Sequence, residues 1–505
     1  MKKVRVRFAP SPTGFMHVGN ARTALFNYLF ARHNKGDFIL RIEDTDLERH
    51  NEDAVKAIFE TLNWLTLDYD EVYRQSKRFD IYKKYVDYLL EKGLAYECYC
   101  TKEELEKMRE EQLKRGEPPR YTGKCRNLTP EEKERLRKEG RKPVIRFKVP
   151  ENEIIAWDDL VKGHLEFNSS NIGGDFVIVR SNGIPVYNFV VVVDDHLMNI
   201  THVIRGEDHI SNTPKQILLY KAFGWEIPKF AHLPIILGKD RSKLSKRHGS
   251  TSVEEFRKKG YLPESLINFL ALLGWYPNEE LYKKLASKKE HVEIFTKEEL
   301  IELFDLKDVN PAPAVFDTTK LDFINEYFIR KLDLDTLYKH LLEFVKVRED
   351  INIKEENNRL LIKYKDEIYE TDKDTFFKAI ELTRNYYTTL EDVFVYLKEL
   401  LKDEYEIDEN ALKFLRENED SLKVINAFYE KIKNLEEVLS KEIFKKLVKE
   451  IQKELKVKGK RLYMPLRIAL TGKMQGLELD ALVEFLGKDR VLKRLENFLR
   501  KVENA

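Results

Sequence analysis

The stretch R-F-A-P-S-P-T-G-F-M-H-V-G-N, which runs from Arg7 to Asn20, joins a predicted strand to a predicted helix. Apolar and basic residues alternate over residues 3–8, which is the two-residue period of a β-strand. Beyond the stretch, apolar residues recur at helical spacing over residues 18–33. The Pro- and Gly-rich turn between them offers backbone N–H groups and the positive end of a helix dipole to a phosphate. The stretch therefore predicts a phosphate-binding strand–turn–helix unit.

The alternation of strands and helices continues after this unit. A buried strand is predicted at residues 38–42, and amphipathic helices are predicted at 51–65 and 79–93. This order is typical of a parallel sheet of the Rossmann type.

Residues 94–180 interrupt that order. Two charge-dense helical stretches, at 103–115 and 130–140, are separated and followed by turns and short strands. We interpret this part as an α+β domain inserted into the sheet. A strand from Pro185 to Val193, reached through an Asn-Gly turn, is expected to continue the sheet.

A second charged stretch, K-L-S-K-R at residues 243–247, lies far downstream. It belongs to the loop 238–249, in which five basic residues stand against a single acid. A loop of this composition is, by itself, most often a solvated surface. Since the same chain carries the H-V-G-N turn, we interpret the loop as a mobile clamp on a nucleoside triphosphate.

These two stretches resemble the two signature sequences of class I aminoacyl-tRNA synthetases. With L-R-I-E-D-T-D and V-I-R-G-E-D-H between them, the chain is similar to the bacterial glutamyl-tRNA synthetases. The similarity extends from Val4 to the P-L-R-I-A-L-T-G segment at 465–472 and so covers nearly the whole chain. Asn20 and Arg247 depart from the general class I signatures, as they do in the glutamyl branch.

The resemblance implies a fold and a domain order. A Rossmann-type α/β catalytic domain with a parallel sheet, in two halves at 1–93 and 181–250, carries the inserted α+β domain at 94–180, which binds the acceptor end. All-α parts follow. They are a stem-contact domain at 251–326 and anticodon-binding domains at 327–505, which we leave open to a division near residue 380.

ATP is the second substrate that the resemblance implies, with a Mg²⁺ ion on its phosphates. The implied ATP-binding residues are His17, Gly19, Asn20, Asp208, Lys243, Ser245 and Lys246. Among them, His17, Lys243 and Lys246 are implied to be catalytic, because they would donate to and neutralise the reacting phosphates.

Arg7 and Arg205 each end a predicted strand, and the plain interpretation is two surface arginines. If both face the carboxyl edge of the sheet, they form a pocket for a substrate carboxylate. The resemblance implies these glutamate-binding residues: Arg7, Ala9, Ser11, Glu43, Tyr187 and Arg205. Glu43 would meet the ammonium group. Glutamine would leave a buried cation unpaired, at a cost of about 2–5 kcal/mol.

The implied reaction joins glutamate and ATP to give glutamyl-adenylate and pyrophosphate, followed by transfer to the terminal adenosine of tRNA(Glu). The α-carboxylate of glutamate is itself the nucleophile, so no Ser/His or Cys/His dyad is needed. Catalysis would then depend on positioning and on stabilising the charge of the phosphates. Enzymes of this branch usually require bound tRNA before the adenylate forms.

Three cysteines, Cys98, Cys100 and Cys125, fall within the predicted insertion. Two interpretations stay open: unreactive buried thiols, or a structural zinc site. Relatives in the family carry Cys-x-Cys and then Cys-x-His, but the last position here is Asn127. A related arrangement, Tyr-x-x-x-Cys, is satisfied by Tyr121. We therefore favour a structural Zn²⁺ held by Cys98, Cys100, Tyr121 and Cys125.

The chain has 505 residues, enough for two to five domains, with 89 basic and 88 acidic side chains. This balance predicts that an RNA-binding surface is a local patch. Three cysteines indicate a reducing compartment without a disulfide framework. We recognise no secretory leader, and the longest apolar run, 189–193, is too short to span a membrane. We expect a cytoplasmic protein and, by resemblance alone, a monomer.

Residues 441–467 hold ten basic and three acidic side chains. A solvated helix face and a phosphate-binding surface for the anticodon arm both stay open for this segment. Relatives that charge only tRNA(Glu) place an arginine near the third anticodon base, where Tyr386 stands here. That departure leaves open an enzyme that also charges tRNA(Gln). The Lys-rich segment 281–291 receives no assignment.

Three alternatives compete with this interpretation. A glutamyl-queuosine tRNA(Asp) synthetase lacks a helical anticodon-binding part, whereas a long segment follows Glu326 here. A nucleotidyltransferase with the H-x-G-H turn would not need the paired arginines. A catalytically inactive tRNA-binding protein predicts the loss of His17, Lys243 or Lys246, and all three are present.

Overall fold

The stretch that begins the chain forms the predicted strand, turn and helix. In the computed structural model, which describes residues 2–46 and 51–503, strand β1 (Arg5–Phe8) leads through the turn into helix α1 (Val18–His33). The chain divides into unit 1, Met1–Phe256 with Pro263–Ile324, and unit 2, Arg257–Leu262 with Asn325–Ala505. The finer division, into four domains or into five with a split near residue 380, stays a proposal. In the described ranges, no helix combines the length and the apolar character that a membrane crossing requires.

Strands and crossover helices alternate in the first part of unit 1. After α1 the elements are β2 (Asp37–Ile42), α2 (Glu52–Trp64), β3 (Glu71–Arg74) and α3 (Phe79–Glu91). The Asn51 side chain caps α2 by accepting hydrogen bonds from the N–H groups of Asp53 and Ala54. The two helices predicted in this part are confirmed.

The insertion supplies two helices and five strands. They are β4 (Ala95–Cys98), α4 (Lys102–Lys114), α5 (Pro130–Lys138), β5 (Val144–Phe147), β6 (Ile154–Asp159), β7 (Gly163–Asn168) and β8 (Val177–Val179). Strands β4, β5 and β8 form an antiparallel sheet, and β6 and β7 form a hairpin. Capping boxes at Thr101 and Thr129 start the two predicted helices.

The chain then returns to the sheet and continues into helices. The elements are α6 (Tyr187–Leu197), β9 (His202–Gly206), α7 (Thr213–Phe223), β10 (Lys229–Leu233), β11 (Ile236–Leu237), α8 (Val253–Lys258), α9 (Pro263–Ala271), α10 (Glu279–Ala286), α11 (Lys297–Leu303), β12 (Ala314–Val315) and α12 (Thr318–Lys331).

The central sheet is parallel, as predicted. Strand β2 pairs with β1 and β3, and β9 pairs with β10. The N–H of Thr201, just before β9, donates to the Arg5 carbonyl at 2.9 Å. The five strands therefore lie in the order β3-β2-β1-β9-β10, and the carboxyl ends of β1 and β9 are neighbours at one edge.

The prediction of a strand from Pro185 to Val193 is wrong, because this segment forms helix α6. Residues 189–195 are buried all round the helix, so their apolar run carries no period that could distinguish the two structures. The Asn-Gly turn before it does form, and Val179 and Pro185 make an antiparallel bridge across it.

Unit 2 is mostly helical but is not all-α as predicted. Its remaining elements are α13 (Leu334–Val345), β13 (Ile351–Glu356), β14 (Arg359–Tyr364), β15 (Glu367–Asp372), α14 (Lys373–Thr383), α15 (Glu391–Leu401), α16 (Glu409–Glu417), α17 (Ser421–Lys433), α18 (Lys441–Leu455), α19 (Lys460–Thr471) and α20 (Leu479–Glu503). Strands β13–β15 form an antiparallel sheet whose alternate residues, such as Ile351 and Ile362, enter the same core as the helices.

Candidate active site

A cleft of about 780 Å³ opens at the carboxyl edge of the parallel sheet, where β1 and β9 end. All but two of the predicted ATP- and glutamate-binding residues line it: Arg7, Ala9, Ser11, His17, Gly19, Asn20, Glu43, Tyr187, Arg205, Asp208 and Lys243. The other two, Ser245 and Lys246, are exposed and lie outside the lining. Residues predicted for two different ligands therefore share one cavity.

His17 precedes α1 and caps it. Its Nδ1 accepts a hydrogen bond from the N–H of Gly19 at 3.0 Å, which leaves the hydrogen of the neutral ring on Nε2. Burial, followed by the nearby charge of Lys243, lowers the pKa of His17 and favours that neutral ring. A Cβ on Gly19 would lie 3.2 Å from Nδ1, so the glycine leaves room for this ring position. His17 is thus a neutral donor in the cleft wall.

The basic loop 238–249 is fastened at both ends. Residues 251–253, just after it, pair with residues 16–18 through two backbone hydrogen bonds of 2.8 and 3.0 Å. Before the loop, β11 pairs with β12, and within the loop the N–H of Leu244 donates to the Ile236 carbonyl at 3.0 Å. The two signature stretches therefore lie side by side in the fold.

Asp240 organises the tip of this loop. Its carboxylate accepts the N–H and the hydroxyl of Ser242, at 2.9 and 2.7 Å, and lies 2.9 Å from His248 Nε2. The hydrogen bonds from Ser242 lower the pKa of Asp240. Arg247 donates to the Ser242 hydroxyl at 2.5 Å, so it is held within the loop, whereas Lys243 faces the cleft.

A buried ion network lies behind the cleft. The Asp195 carboxylate is 2.9 Å from Arg7 Nε and 2.7 Å from Arg41 Nη1, and Arg41 Nη2 is 3.4 Å from Glu43 Oε1. Burial by itself would raise the pKa of Asp195, but the two guanidiniums lower it, so the carboxylate is ionised. Sequence reasoning missed Arg41 and Asp195. The sequence does contain a sign of this network, because Arg41 lies inside the apolar run F-I-L-R-I. A charge buried in such a strand requires a charged or hydrogen-bonding partner.

Glu43 is a buried carboxyl group of the cleft, and its pKa is strongly changed. Its side chain is only 8% exposed. Burial raises the pKa of Glu43 to about 7, although the charges of Arg41 and Arg7 act in the opposite direction. A carboxylate that burial makes costly to ionise gains from a cationic ligand.

Arg205 is buried at the end of β9. Its Nη1 lies 3.5 Å from the Tyr187 hydroxyl, and its Nη2 donates to Thr213 Oγ1 at 2.8 Å. Burial lowers the pKa of Arg205, yet an arginine side chain stays charged near neutral pH. Arg7 and Arg205 both line the cleft, as the hypothesis of a two-guanidinium pocket requires.

His209 was not singled out from the sequence, although it ends the V-I-R-G-E-D-H motif. Its Nδ1 lies 3.2 Å from the Tyr187 hydroxyl. Burial and the charge of Arg205 lower the pKa of His209 to about 4, so the ring is neutral at pH 7. It supports Tyr187 at the cleft wall.

Cys98, Cys100 and Cys125 converge in the insertion, with their sulfurs within 4.8 Å of one another. The Tyr121 oxygen lies 3.3 Å from Cys98 Sγ and 3.7 Å from Cys100 Sγ, and Cys100 Sγ lies 3.6 Å from Cys125 Sγ. In a tetrahedral zinc site, sulfur ligands lie about 2.3 Å and oxygen ligands about 2.0–2.2 Å from the ion. Ligand atoms at these distances from one ion are separated from each other by about the distances observed among the four donors here. The four donors therefore fit a structural zinc site. Asn127, which stands where relatives carry a histidine, is exposed.

In unit 2, the basic segment 441–467 forms α18 and most of α19. Tyr386 is 43% exposed, packs against Tyr396 at a ring distance of 5.7 Å and borders a groove of about 560 Å³ together with Lys441. In unit 1, the unassigned Lys-rich segment contains most of α10, whose Tyr282 packs on Tyr276.

Comparison with known proteins gives one consistent result. Residues 3–323 match the family model of the catalytic domain of class I tRNA synthetases (E and Q), and residues 336–499 match an anticodon binding domain. The glutamate–tRNA ligase of Aquifex aeolicus (strain VF5) is 53% identical over 99% of this chain and 100% of that protein. The glutamate–tRNA ligase of Sulfurihydrogenibium sp. (strain YO3AOP1) is 50% identical over 98% and 99%.

Solved structures agree with the sequence comparisons. The crystal structure of a glutamate tRNA ligase from Elizabethkingia meningosepticum in complex with its amino acid has a TM-score of 0.83 and 33% identity, with 99% of both chains covered. That of the glutamate-tRNA synthetase from Elizabethkingia anophelis has a TM-score of 0.81 and 34% identity, over 99% and 100%. By family model and by identity along its length, the chain belongs to the class I tRNA synthetases, in the branch of the glutamate–tRNA ligases.

Proposed function

We propose that this chain activates L-glutamate with ATP to glutamyl-adenylate and then transfers the glutamyl group to the terminal adenosine of tRNA(Glu). The observation that supports the proposal most directly is one cleft whose lining includes the guanidiniums of Arg7 and Arg205, the carboxyl group of Glu43 and the neutral donor His17. These groups complement the side-chain carboxylate and ammonium group of glutamate and the phosphates of ATP. Relatives named glutamate–tRNA ligases along the whole chain favour this reaction over the alternatives.

Glutamate would be bound at both of its charged ends. Arg7 and Arg205 would bind the side-chain carboxylate, with the Tyr187 hydroxyl beside them, and Glu43 would bind the ammonium group. Ala9 and Ser11 would hold the backbone of the amino acid. Because Arg7 already pairs with Asp195, Arg205 would supply most of the uncompensated charge that favours glutamate over glutamine.

ATP would bind along the N-terminus of α1. His17 would donate from Nε2 to a phosphate oxygen, and Lys243 would neutralise the leaving pyrophosphate. Four further residues would complete the site: Gly19, Asn20, Asp208 and Ser245. Ser245 and Lys246 lie outside the cleft lining, so their proposed contacts with ATP require the basic loop to move. Mg²⁺ on the phosphates would supply additional charge neutralisation.

We also propose that the insertion holds a structural Zn²⁺ through Cys98, Cys100, Tyr121 and Cys125. Hydrogen bonds from the thiols of Cys100 and Cys125 lower the pKa of Cys98, and the same cluster of contacts raises the pKa of Cys100. Cys98 is therefore the thiol that ionises first, and zinc would have to displace the protons of the other thiols. Four protein donors leave no position for a substrate, so the ion would stabilise the insertion and take no part in the reaction.

The range of tRNA substrates is a separate proposal. The uncharged and exposed Tyr386, at the position where the resemblance expects an arginine, favours an enzyme that charges tRNA(Gln) as well as tRNA(Glu). The cytoplasmic location and the monomeric state stay predictions.

Aminoacylation with radiolabelled glutamate tests the function, with tRNA(Glu) and tRNA(Gln) transcripts in parallel. Charging of tRNA(Glu) supports the central proposal, and charging of neither transcript would overturn it. Charging of tRNA(Glu) alone would overturn the proposal based on Tyr386. Arg205→Ala should abolish charging, whereas Arg32→Ala, which removes a partner of Asp70 at the far end of α1, should not.

A further inference from the structure

The hairpin of β6 and β7 reaches from the insertion to the catalytic sheet. At its turn, the N–H of Leu160 donates to the carbonyl of Phe230 in β10 at 2.9 Å. Beside it, Asp159 Oδ2 lies 2.5 Å from Nδ1 of His232, and Asp159 Oδ1 accepts the backbone N–H of His232 at 3.1 Å. Both side chains are fully buried. The insertion therefore holds one histidine of the sheet by its ring and its backbone.

The second ring nitrogen of His232 faces Arg205. Nε2 lies 3.2 Å from Arg205 Nε, and since an arginine nitrogen only donates, Nε2 must be an unprotonated acceptor. The ring hydrogen is then on Nδ1 and points to Asp159. Burial lowers the pKa of His232, although Asp159 acts in the opposite direction, and the ring is neutral. Burial alone would raise the pKa of Asp159, but the hydrogen bond from His232 lowers it to about 2.

This arrangement leaves the charge of Arg205 uncompensated. Among the described residues, its hydrogen bonds go to His232, Tyr187 and Thr213, all of which are neutral. The neutral acceptors fix the plane of the guanidinium without cancelling its charge. Bidentate binding of a carboxylate depends on that plane.

We propose that His232, held in one tautomer by Asp159 of the insertion, is a positioning residue for Arg205 and thereby contributes to the preference for glutamate over glutamine. The inference rests on the proposed role of Arg205 in glutamate binding. A purely structural role, in which Asp159 only ties the hairpin to the sheet, makes a different prediction. It would lower stability and leave the two Michaelis constants unchanged.

Asp159→Asn tests the tautomer with little change of shape. Oδ1 also accepts the N–H groups of Val161 and Lys162, at 3.1 and 3.0 Å, so the amide oxygen will occupy that position. The amide NH₂ must then face Nδ1 of His232 and drive the ring hydrogen to Nε2, against the donor of Arg205. Asp158→Asn is the matched control, because Asp158 is exposed and contacts His164.

The assay is ATP–pyrophosphate exchange with tRNA(Glu) present, which gives separate KM values for glutamate and ATP. We expect Asp159→Asn to raise KM for glutamate roughly 10- to 100-fold, the effect of losing one hydrogen bond to a charged group. KM for ATP should change less than about twofold, and the ratio of kcat/KM for glutamate to that for glutamine should fall. Asp158→Asn should leave all three values unchanged.

A pair of His232 variants keeps the test decisive if Asp159→Asn folds poorly. In His232→Gln the amide can donate to Asp159 and accept from Arg205, so KM for glutamate should stay within about threefold of the wild type. His232→Leu can do neither and should show the full rise.

An unchanged KM for glutamate in Asp159→Asn would overturn the inference. Equal behaviour of His232→Gln and His232→Leu would also overturn it. A wild-type chain that does not activate glutamate would overturn the proposed function itself, and this result is seen before any variant is compared.

Discussion

Glu43 makes the proposed binding of glutamate sensitive to pH. Burial raises the pKa of its carboxyl group to about 7. Only the carboxylate attracts the ammonium group, so KM for glutamate should rise as the pH falls through 7. With a pKa of about 7, the ionised fraction is about 0.9 at pH 8 and about 0.1 at pH 6, which corresponds to an increase in KM of about tenfold.

The neighbouring histidines contribute little over this range. Burial lowers the pKa of His17 and His232, and it brings that of His209 to about 4. Each ring therefore loses its proton at a pH below the ordinary pKa of histidine. Glu43→Gln separates the effects, because glutamine cannot ionise and any slope that persists must come from other groups.

The measurement is KM for glutamate at pH 6, 7 and 8 in ATP–pyrophosphate exchange, with tRNA(Glu) and saturating Mg·ATP. The variant Glu43→Gln should have a high KM that hardly changes over these values. KM values within twofold of each other at pH 6 and pH 8 in the wild type would refute the reasoning. The same slope in the variant would refute it as well.

Four further results follow from the same contacts. Because the pKa of Glu43 is raised from 4.5 to about 7, its ionisation lowers stability as the pH rises through this range; Glu43→Gln should therefore raise the free energy of unfolding at pH 8 by about 3 kcal/mol in urea titrations. Cys125→Ser should abolish the binding of one zinc ion per chain, measured by metal analysis, and lower the melting temperature of the insertion. Lys243→Ala should reduce kcat/KM for ATP about 100-fold, whereas Lys239→Ala, whose lysine pairs with Asp317 outside the cleft, should not. Arg494→Leu should destabilise unit 2 by about 3 kcal/mol or more, measured by chemical denaturation, because its buried guanidinium donates to four backbone carbonyls; a loss below about 1 kcal/mol would contradict this.

Local pattern was sufficient for β1 and α2. The residues 3–8 alternate although β1 is buried on both faces, because its basic residue Arg7 pairs with the buried Asp195, and α2 shows helical spacing because it buries one side only. The turn between β1 and α1 could also be predicted, since its Pro, Gly and His residues lie within a few positions of each other. Motif resemblance then supplied the ligands of the cleft.

Pattern was insufficient where tertiary burial removed the period. The run of valines in α6 is buried on every side, and β-branched residues favour a strand when neighbours are ignored. The sheet of unit 2, which the all-α prediction lacks, does have a signal in the sequence. Asn357 and Asn358 both adopt positive φ, 49° and 64°, between strands that alternate in polarity. Two-residue hairpin turns of type I′ require positive φ at both positions, and Asn adopts it more readily than most residues.

Contacts between distant parts of the chain could not be predicted from the sequence. Asp159 and His232 are 73 positions apart, and neither lies in a motif. The same holds for Arg41 and Asp195, whose pairing becomes visible only when β2 and α6 are placed together. Sequence can indicate that such buried charges need partners, but not which partners they find.

The two fastened ends of the basic loop have a consequence for how the chain can be cut. Arg241, Lys243, Lys246 and Arg247 are exposed within seven positions, so trypsin should cleave there first. The segment before the loop remains paired through β11 with β12, and residues 251–253 after the loop remain paired with the turn before α1. A nicked chain should therefore stay assembled, and two polypeptides expressed separately and divided in this loop should associate into one folded enzyme.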